Sequence, residues 1–354
     1  MIDWLTVKIR VQLPAPIADG WTLKIRGDGT EAYRCPHRLS VGGSFESALT
    51  IRAVVRDELE LSGNVAKFVQ GHNLYGSDDP LAVLWAALQR LEPHLGASLA
   101  EIGLTSPSEL GERTTISRID CTKMLQFDSA GDALSFLRSA EATGRIPRRG
   151  RGVFKQGTLV YGDAQGKRFT RWQIVVYSKG QEIGAREPGH RLPEFMMVDR
   201  EILDFCNRSI RVEVRVGRNE LREKGLRALS AWSEATSDAI WRDYVGQLSF
   251  NEAFVDEAAE LAKLPDHLRG TFAQWKLGQD LRKAMTKAKF YRHRRMIEAL
   301  TGYDISIPPA APATASVVPI KRVLEGRIGG RPGWADRVDA QLLSAGAVVF
   351  PRAA

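Results

Sequence analysis

Apolar and polar residues alternate along most of the first 220 positions of the chain, and apolar residues recur at helical spacing beyond them. WLTVKIRVQL alternates like a β-strand, and FESALTIRAVV and ELELSG read as two more. NVAKFVQGHNLYGSDDP shows neither period and reads as a loop-rich segment. SDDPLAVLWAALQRLEPHLG predicts a helix, with Ser77 or Asp78 as its N-cap and Gly96 past its end. TTISRIDCTKMLQF predicts a strand rich in β-branched residues. SAGDALSFLRSAEATG predicts a second helix, capped near Ser129 and stopped by Gly144. GTLVYGDAQGKRFTRWQIVVYSK reads as a hairpin that turns at GDAQGK, and SIRVEVRVG as a further alternating strand.

From about Glu220 the pattern changes to amphipathic helices: LRALSAWSEATSDAIWRDYV, FVDEAAELAKL and the basic FAQWKLGQDLRKAMTKAKFYRHRRMIEALTG. IPPAAPATASVVP, residues 307 to 319, predicts an extended linker. The last stretch contains GRIGGRPGWADR and is expected to be only partly ordered. The expected fold class is α+β. An antiparallel sheet domain with flanking helices covers 1–220, a basic helical region 221–306, and a linker with a short tail 307–354.

Three of the strands share a peculiarity. Arg118, Asp120 and Thr122 fall on one face of SRIDCT, and Tyr177 and Lys179 on one face of IVVYSK. Arg211, Glu213 and Arg215 fall on one face of RVEVRV, with Val212, Val214 and Val216 opposite. If these strands are neighbours, Asp120, Glu213 and Tyr177 converge on one surface. The plain reading is the solvent side of an antiparallel sheet, decorated with Arg/Glu pairs. The chemical reading is phosphoryl transfer. Carboxylates seat a Mg²⁺ or Mn²⁺ ion, with water and a phosphate oxygen completing its shell. That ion is a Lewis acid on phosphate. A phenol becomes a nucleophile where a metal or a cation such as Lys179 favours the phenolate. Tyr161, on the same hairpin, is the alternative nucleophile, and Glu60 in LELSG is a third carboxylate. His72 and Asn73, in the loop QGHNLYG, offer a phosphate or metal contact, or a structural one.

Composition narrows the classes. The 354 residues leave room for two domains. No apolar run approaches a membrane span, and the acid at position 3 argues against a signal peptide. The three cysteines, Cys35, Cys121 and Cys206, lack paired spacing, which favours a reducing compartment over a disulfide or zinc scaffold. The net charge of +8 matters through its distribution. RIPRRGRGVFK holds no acid, and its Arg148, Arg149 and Arg151 suit an arm against a DNA backbone. KLGQDLRKAMTKAKFYRHRR has eight Lys or Arg against one acid. Its Arg282, Lys289, Arg292 and Arg295 are candidate phosphate or groove contacts, the plain alternative being a solvated face.

Taken together, these motifs resemble the replication initiators of filamentous bacteriophages, the gene II protein family. MIDWLTVKIRV, AKFVQGHNLYG, TTISRIDCT, VVYSKGQE, and IRVEVRV followed by LREKGL occur in that family's order. FYRHRRMIEALTGYDIS resembles its C-terminal region, and RPGW recurs near its end. The resemblance implies a rolling-circle initiator that nicks one strand of double-stranded phage origin DNA. It implies a 5′ phosphate kept on a tyrosine, a 3′ hydroxyl left for the host polymerase, and later rejoining of the displaced single strand. A host helicase is a further implied partner, no membrane is, and the location is the host bacterial cytoplasm.

By position, the family's nucleophile falls on Tyr177. The pattern Y-x-K-x-x-E, which also resembles that of plasmid initiators, adds Lys179 and Glu182. Those plasmid initiators hold a metal with carboxylates on strands like SRID and RVEVR, which points to Asp120 and Glu213, with His72 as an optional imidazole ligand. Arg118, Arg211 and Arg215 become DNA-side cations on the same face. Better-known rolling-circle nucleases carry a His-hydrophobic-His motif, but no two of the six histidines here are two apart. Two other readings stay open: a non-catalytic DNA-binding regulator, and a hydrolytic metal-dependent nuclease in which Tyr177 is structural.

Overall fold

The computed structural model describes residues 1–350 apart from 19, 44, 46, 147–149, 156, 164–170, 186–189, 252–260, 262–263, 277–278, 302, 308–316 and 320–325. Its strands are β1 (Ile2–Arg10), β2 (Trp21–Ile25), β3 (Glu31–Pro36), β4 (Leu39–Gly42), β5 (Ala48–Arg52), β6 (Glu58–Asn64) and β7 (Thr114–Gln126). They continue with β8 (Arg145–Ile146), β9 (Gly150–Arg151), β10 (Val153–Lys155), β11 (Thr158–Gly162), β12 (Trp172–Ser178), β13 (Ser209–Gly217), β14 (Ser249–Asn251) and β15 (Val317–Pro319). The helices up to this region and just past it are α1 (Val65–Gln70), α2 (Pro80–Leu95), α3 (Pro107–Arg113), α4 (Ala130–Thr143) and α5 (Lys179–Gly184). After them come α6 (Glu194–Met197), α7 (Arg200–Asn207), α8 (Arg218–Glu223) and α9 (Glu234–Val245). Nine strands form one sheet in the order β10–β11–β12–β13–β7–β1–β6–β5–β4, with each neighbouring pair antiparallel. The expected α+β class therefore holds.

The register explains the two faces. Tyr161 stands opposite Ile174, Ile174 opposite Val214, and Val214 opposite Cys121. This apolar face packs against α2, α4 and α9, and the whole forms the largest core. The caps of α4 lie where the sequence puts them: Ser129 accepts from Asp132 N, and Gly144 closes the end. α2 starts one residue later than expected, capped by Asp79.

The structure departs from the sequence reading in four places. Residues 65–70 are the helix α1, not a loop. Asn64 caps its start and Gly71, at φ 82°, its end. All six residues are buried, so no amphipathic period marks them. The sheet domain does not end at 220 either. Trp241 Nε1 of α9 donates to Val212 O at 3.0 Å, and Leu248 still belongs to the first core.

The basic helical run is broken into α10 (Asp266–Lys276), α11 (Leu281–Ala284) and α12 (Lys287–Thr301), which enclose a small core of their own. The tail also folds back: α13 (Ala335–Ser344) puts Trp334, Val338 and Leu342 against Leu74, Met124, Met196 and Ile202. Backbone bonds from Gln126 N to Arg327 O, and from Val348 N to Val69 O, fasten it to the sheet domain. Most of the 307–319 linker and of FVDEAAELAKL lies outside the described residues.

Docking the tail buries the Trp334 indole edge-on against Phe205, and the ring also meets Tyr75. Trp334→Ala is expected to lower the unfolding free energy by about 3 kcal/mol in urea denaturation. A loss well under 1 kcal/mol would mean that the tail adds nothing to the fold.

Candidate active site

β12, β13 and β7 are neighbours, so the polar faces do meet. Tyr177 lies opposite Arg211, Arg215 opposite Asp120, and Glu213 between Thr122 and Val175. Tyr177 and Asp120 are therefore both diagonal to Glu213, within reach of long side chains. The Tyr177 hydroxyl donates to Glu213 Oε1 at 2.6 Å. Arg215 Nη2 lies 2.7 Å from Glu213 Oε2, and its Nε lies 3.6 Å from Asp120 Oδ2. Arg118 grips Asp120 with two bonds of 2.8 and 2.6 Å. An open cleft of about 790 Å³ runs over this face, lined by Asp3, Asp120, Tyr177, Glu182, Glu213 and Arg215 among others.

Asp3 reaches this face through an irregularity in β1. Between Ile2 and Trp4 the pairing with β7 slips, leaving Asp3 as the extra residue. Its Oδ1 accepts from Asn64 and Asn73 and lies 2.8 Å from Arg211 Nη2. Sequence reading missed Asp3 because simple alternation cannot show a bulge. Asn73 is the other anchor: its Oδ1 accepts from Lys179 Nζ at 2.8 Å, and its carbonyl accepts from Arg211.

Lys179 does not touch the phenol. It opens α5, which Ser178 caps, and its ammonium is only 1% exposed between Asn73 and Glu182 Oε2. Gly180 brings α5 against α7, where a Cβ would come within 2.8 Å of Asn207 Cα. Glu182 also meets His190 Nδ1 at 3.2 Å.

The electrostatics follow from burial and pairing. Burial, then the Glu213 charge, hold the Tyr177 phenol well above its ordinary pKa. Burial also opposes ionisation of Glu213, yet Arg215 and Arg211 outweigh it and bring its pKa down to about 2. Burial keeps Asp120 above the usual carboxylate range in spite of Arg118 and Arg215. For Glu182 burial loses to the charges of Lys179 and Arg211, and its pKa is lowered. The resting site is thus a neutral phenol bonded to an ionised carboxylate. The expected phenolate paired with Lys179 is not what this arrangement holds.

Two family models match the chain: that of the N-terminal part of the replication-associated gene II protein over residues 1–235, and that of its C-terminal part over residues 260–337. The chain belongs to the gene II family of phage replication-associated proteins. It is 27% identical over 349 residues to the replication-associated gene II protein of Enterobacteria phage I2-2, covering 96% of this chain and 97% of that protein. No solved structure matches.

With the family in hand, the remaining site residues can be placed. Asp120, Glu213, Tyr177, Glu182, Arg118 and Arg215 all line the cleft. Three other candidates do not join them. Glu60 sits on β6 opposite Lys8, between Lys8 and Arg38, four residues along the strand from the Asn64–Trp4 row that meets Asp120. That is roughly 13 Å away at the rise of a strand. His72 is wholly buried against Tyr75, and burial, then Lys179, lower its pKa to about 3. Tyr161 points to the opposite face, where its hydroxyl donates to Ala140 O at 2.8 Å inside the core.

Arg211 is a correction of another kind. It has no exposure, and its guanidinium is committed to Asp3, Glu213 and the Asn73 carbonyl, so it does not face DNA. Arg118 and Arg215 are 26% and 30% exposed and do face the cleft. Arg148 and Arg149 lie outside the described residues, and Arg151 is placed only by its backbone in β9. Arg282 on α11 and Lys289, Arg292 and Arg295 on α12 are exposed. Along the whole chain, no helix of the described residues is long and apolar enough to cross a membrane.

The donor set suits a hard cation such as Mg²⁺ or Mn²⁺, because Asp120, Glu213 and Asp3 bring carboxylate oxygens to one cleft. At rest these oxygens are held by arginine: Arg215 bridges Asp120 and Glu213. Among the described residues, no three His, Cys, Asp or Glu side chains are already gathered as ligands. A cation here would take over contacts that Arg215 now makes.

The pairing of Glu213 sets a pH signature. Its folded pKa of about 2 lies below the ordinary 4.5, so its ionised form stabilises the fold above pH 4.5. That contribution fades as pH falls from 4.5 towards about 2. Glu213→Gln is therefore expected to be less stable than the parent at neutral pH, with the gap closing across that window. Urea denaturation at stepped pH measures it, and a gap that stays constant down to the lower limit would contradict the pairing.

Proposed function

We propose that the chain initiates rolling-circle replication by nicking one strand of phage origin DNA through Tyr177 and later rejoining the displaced strand. The observation that carries this reading is the Tyr177 hydroxyl on the wall of an open cleft, 2.6 Å from a carboxylate able to take its proton. The phenol is protonated at rest, so attack and proton transfer go together. Tyr177 Oη bonds to phosphorus as the P–O3′ bond breaks. The phenol proton passes to Glu213 Oε1 and then to solvent, and the departing 3′ oxygen takes a proton from water. One phosphodiester is exchanged for another, so rejoining needs no nucleotide cofactor.

Glu213 is a weak base while two arginines hold it. A phosphate entering the cleft competes for Arg215 and Arg118, the exposed cations of the face. As Arg215 turns to the phosphate, Glu213 loses a counter-charge and its affinity for the phenol proton rises. Substrate binding and activation of the nucleophile are thereby one event. Asp120 and Glu213 would hold a Mg²⁺ or Mn²⁺ ion, which would supply Lewis-acid stabilisation of the phosphate charge. Lys179 and Glu182 act as positioning residues, fixing α5 and the Asn73 loop around the tyrosine. The host polymerase and helicase act on the nicked product, in the host cytoplasm.

The test uses supercoiled replicative-form DNA of the phage, with Mg²⁺ or Mn²⁺ and with a chelator. Nicked circles are scored on a native gel and protein-linked DNA on a denaturing gel. Wild type is expected to nick and form an adduct only with the ion, and Tyr177→Phe to do neither. Glu213→Gln is expected to slow adduct formation by about a hundredfold or more. Nicking by Tyr177→Phe without an adduct would mean that water attacks. Binding without nicking by the wild type would leave a regulator.

A further inference from the structure

We infer that α10–α12 form a helix-turn-helix unit whose last helix, α12, reads the major groove of duplex DNA. This rests on the initiator reading, and gives the chain a base-reading element separate from its cleft.

The helices contact one another and share the core of Leu268, Phe272, Trp275, Leu281, Phe290 and Ile297. Asp280 caps the short α11, and Met285 turns the chain into extended backbone. At Thr286 the next helix begins: its carbonyl accepts from Phe290 N at 2.9 Å and its hydroxyl from Lys289 N at 3.4 Å. A short helix, a two-residue turn and a long helix are thus packed over a preceding helix. This is the arrangement in which a second helix enters the groove.

α12 is held from behind. Phe290, His293 and Ile297 are its buried side, and His293 Nδ1 meets Thr271 Oγ1 of α10 at 2.8 Å. At its far end Arg294 makes two bonds of 2.6 Å to Asp304. Tyr291, Arg292 and Arg295 lie opposite that side, and Lys287 and Lys289 flank it, all of them exposed. Among the described residues, none of these four cations has a carboxylate within ion-pair distance. The only acid in α12 is Glu298. These four cations against this single acid leave the exposed side strongly positive, as suits an anionic partner.

The partner's shape follows. A helix of 15 residues spans about 22 Å and fits the major groove of B-form DNA. A-form RNA is too narrow in its major groove to admit it. Single strands are held by successive stacking rings, whereas Tyr291 is the one exposed aromatic on α12. Lys289 and Arg292, in the first half of α12, would meet base edges, and Lys287, Arg295 and Arg282 the flanking phosphates.

The experiment selects bound duplexes from a randomised pool with the full-length chain, then measures their affinities over a salt series. Wild type is expected to enrich one motif. Arg292→Lys keeps the charge but loses the two-pronged guanidinium, and should flatten the preference at one base pair by about tenfold. Arg295→Ala should weaken all duplexes alike and lower the salt slope by about one. The inference is overturned if no motif is enriched, if Arg292→Lys and Lys289→Met leave the motif unchanged, or if single strands or RNA outcompete the duplex. The adduct assay separates this inference from the Tyr177 reading. A chain that enriches a motif but forms no adduct fails that reading and keeps this one.

Discussion

The Arg211 guanidinium, with no solvent exposure, joins Asp3 at the start of the chain, Glu213 two residues along its own strand, and the carbonyl of Asn73. A buried cation costs several kcal/mol unless its partners are well placed. The pairing therefore fixes three things together. It holds the slip in β1 that turns Asp3 inward, it pins the loop after α1, and it orients the carboxylate that receives the Tyr177 hydroxyl. From Asn73 the same set runs on to Lys179, Glu182 and the start of α5. Removing one member would leave an unpaired charge in a dry place, which is more damaging than never having built the set.

Arginine also decides how the site behaves before DNA arrives. Four carboxylates line the cleft, and Arg118, Arg211, Arg215 and Lys179 stand against them. Two of those cations are buried and fixed, while Arg118 and Arg215 reach solvent. The fixed pair shapes the site and the exposed pair can exchange partners. On the proposed reading, a nucleophile kept neutral until a phosphate draws away its neighbour's counter-charge would be protected from stray reactions.

Much of this was legible in the sequence, for identifiable reasons. β13 alternates cleanly, and parity within SRIDCT and IVVYSK was enough to assign Asp120 and Tyr177 each to one face of its strand. α4 was legible because Ser129 and Gly144 mark both ends. What failed needed information that alternation does not carry. Glu60 has the right parity but the wrong position along its strand, which only the register reveals. Arg211 has the right face, but the end of the sheet near Met124 is roofed by α7 and the docked tail, a long-range fact. Asp3 depends on a one-residue slip, and α1 on burial so complete that no polar side marks it.

The docked tail changes how the basic helices are attached. β14 still pairs with β8 at Arg145, and β15 returns to pair with β14, so α10–α12 lie on an excursion fastened at both ends. On the proposed readings, a strand held in the cleft and a duplex held by α10–α12 would be gripped by one molecule, so loss of one grip would leave the other in place. Two modest grips on one DNA molecule would then hold it longer than either could alone.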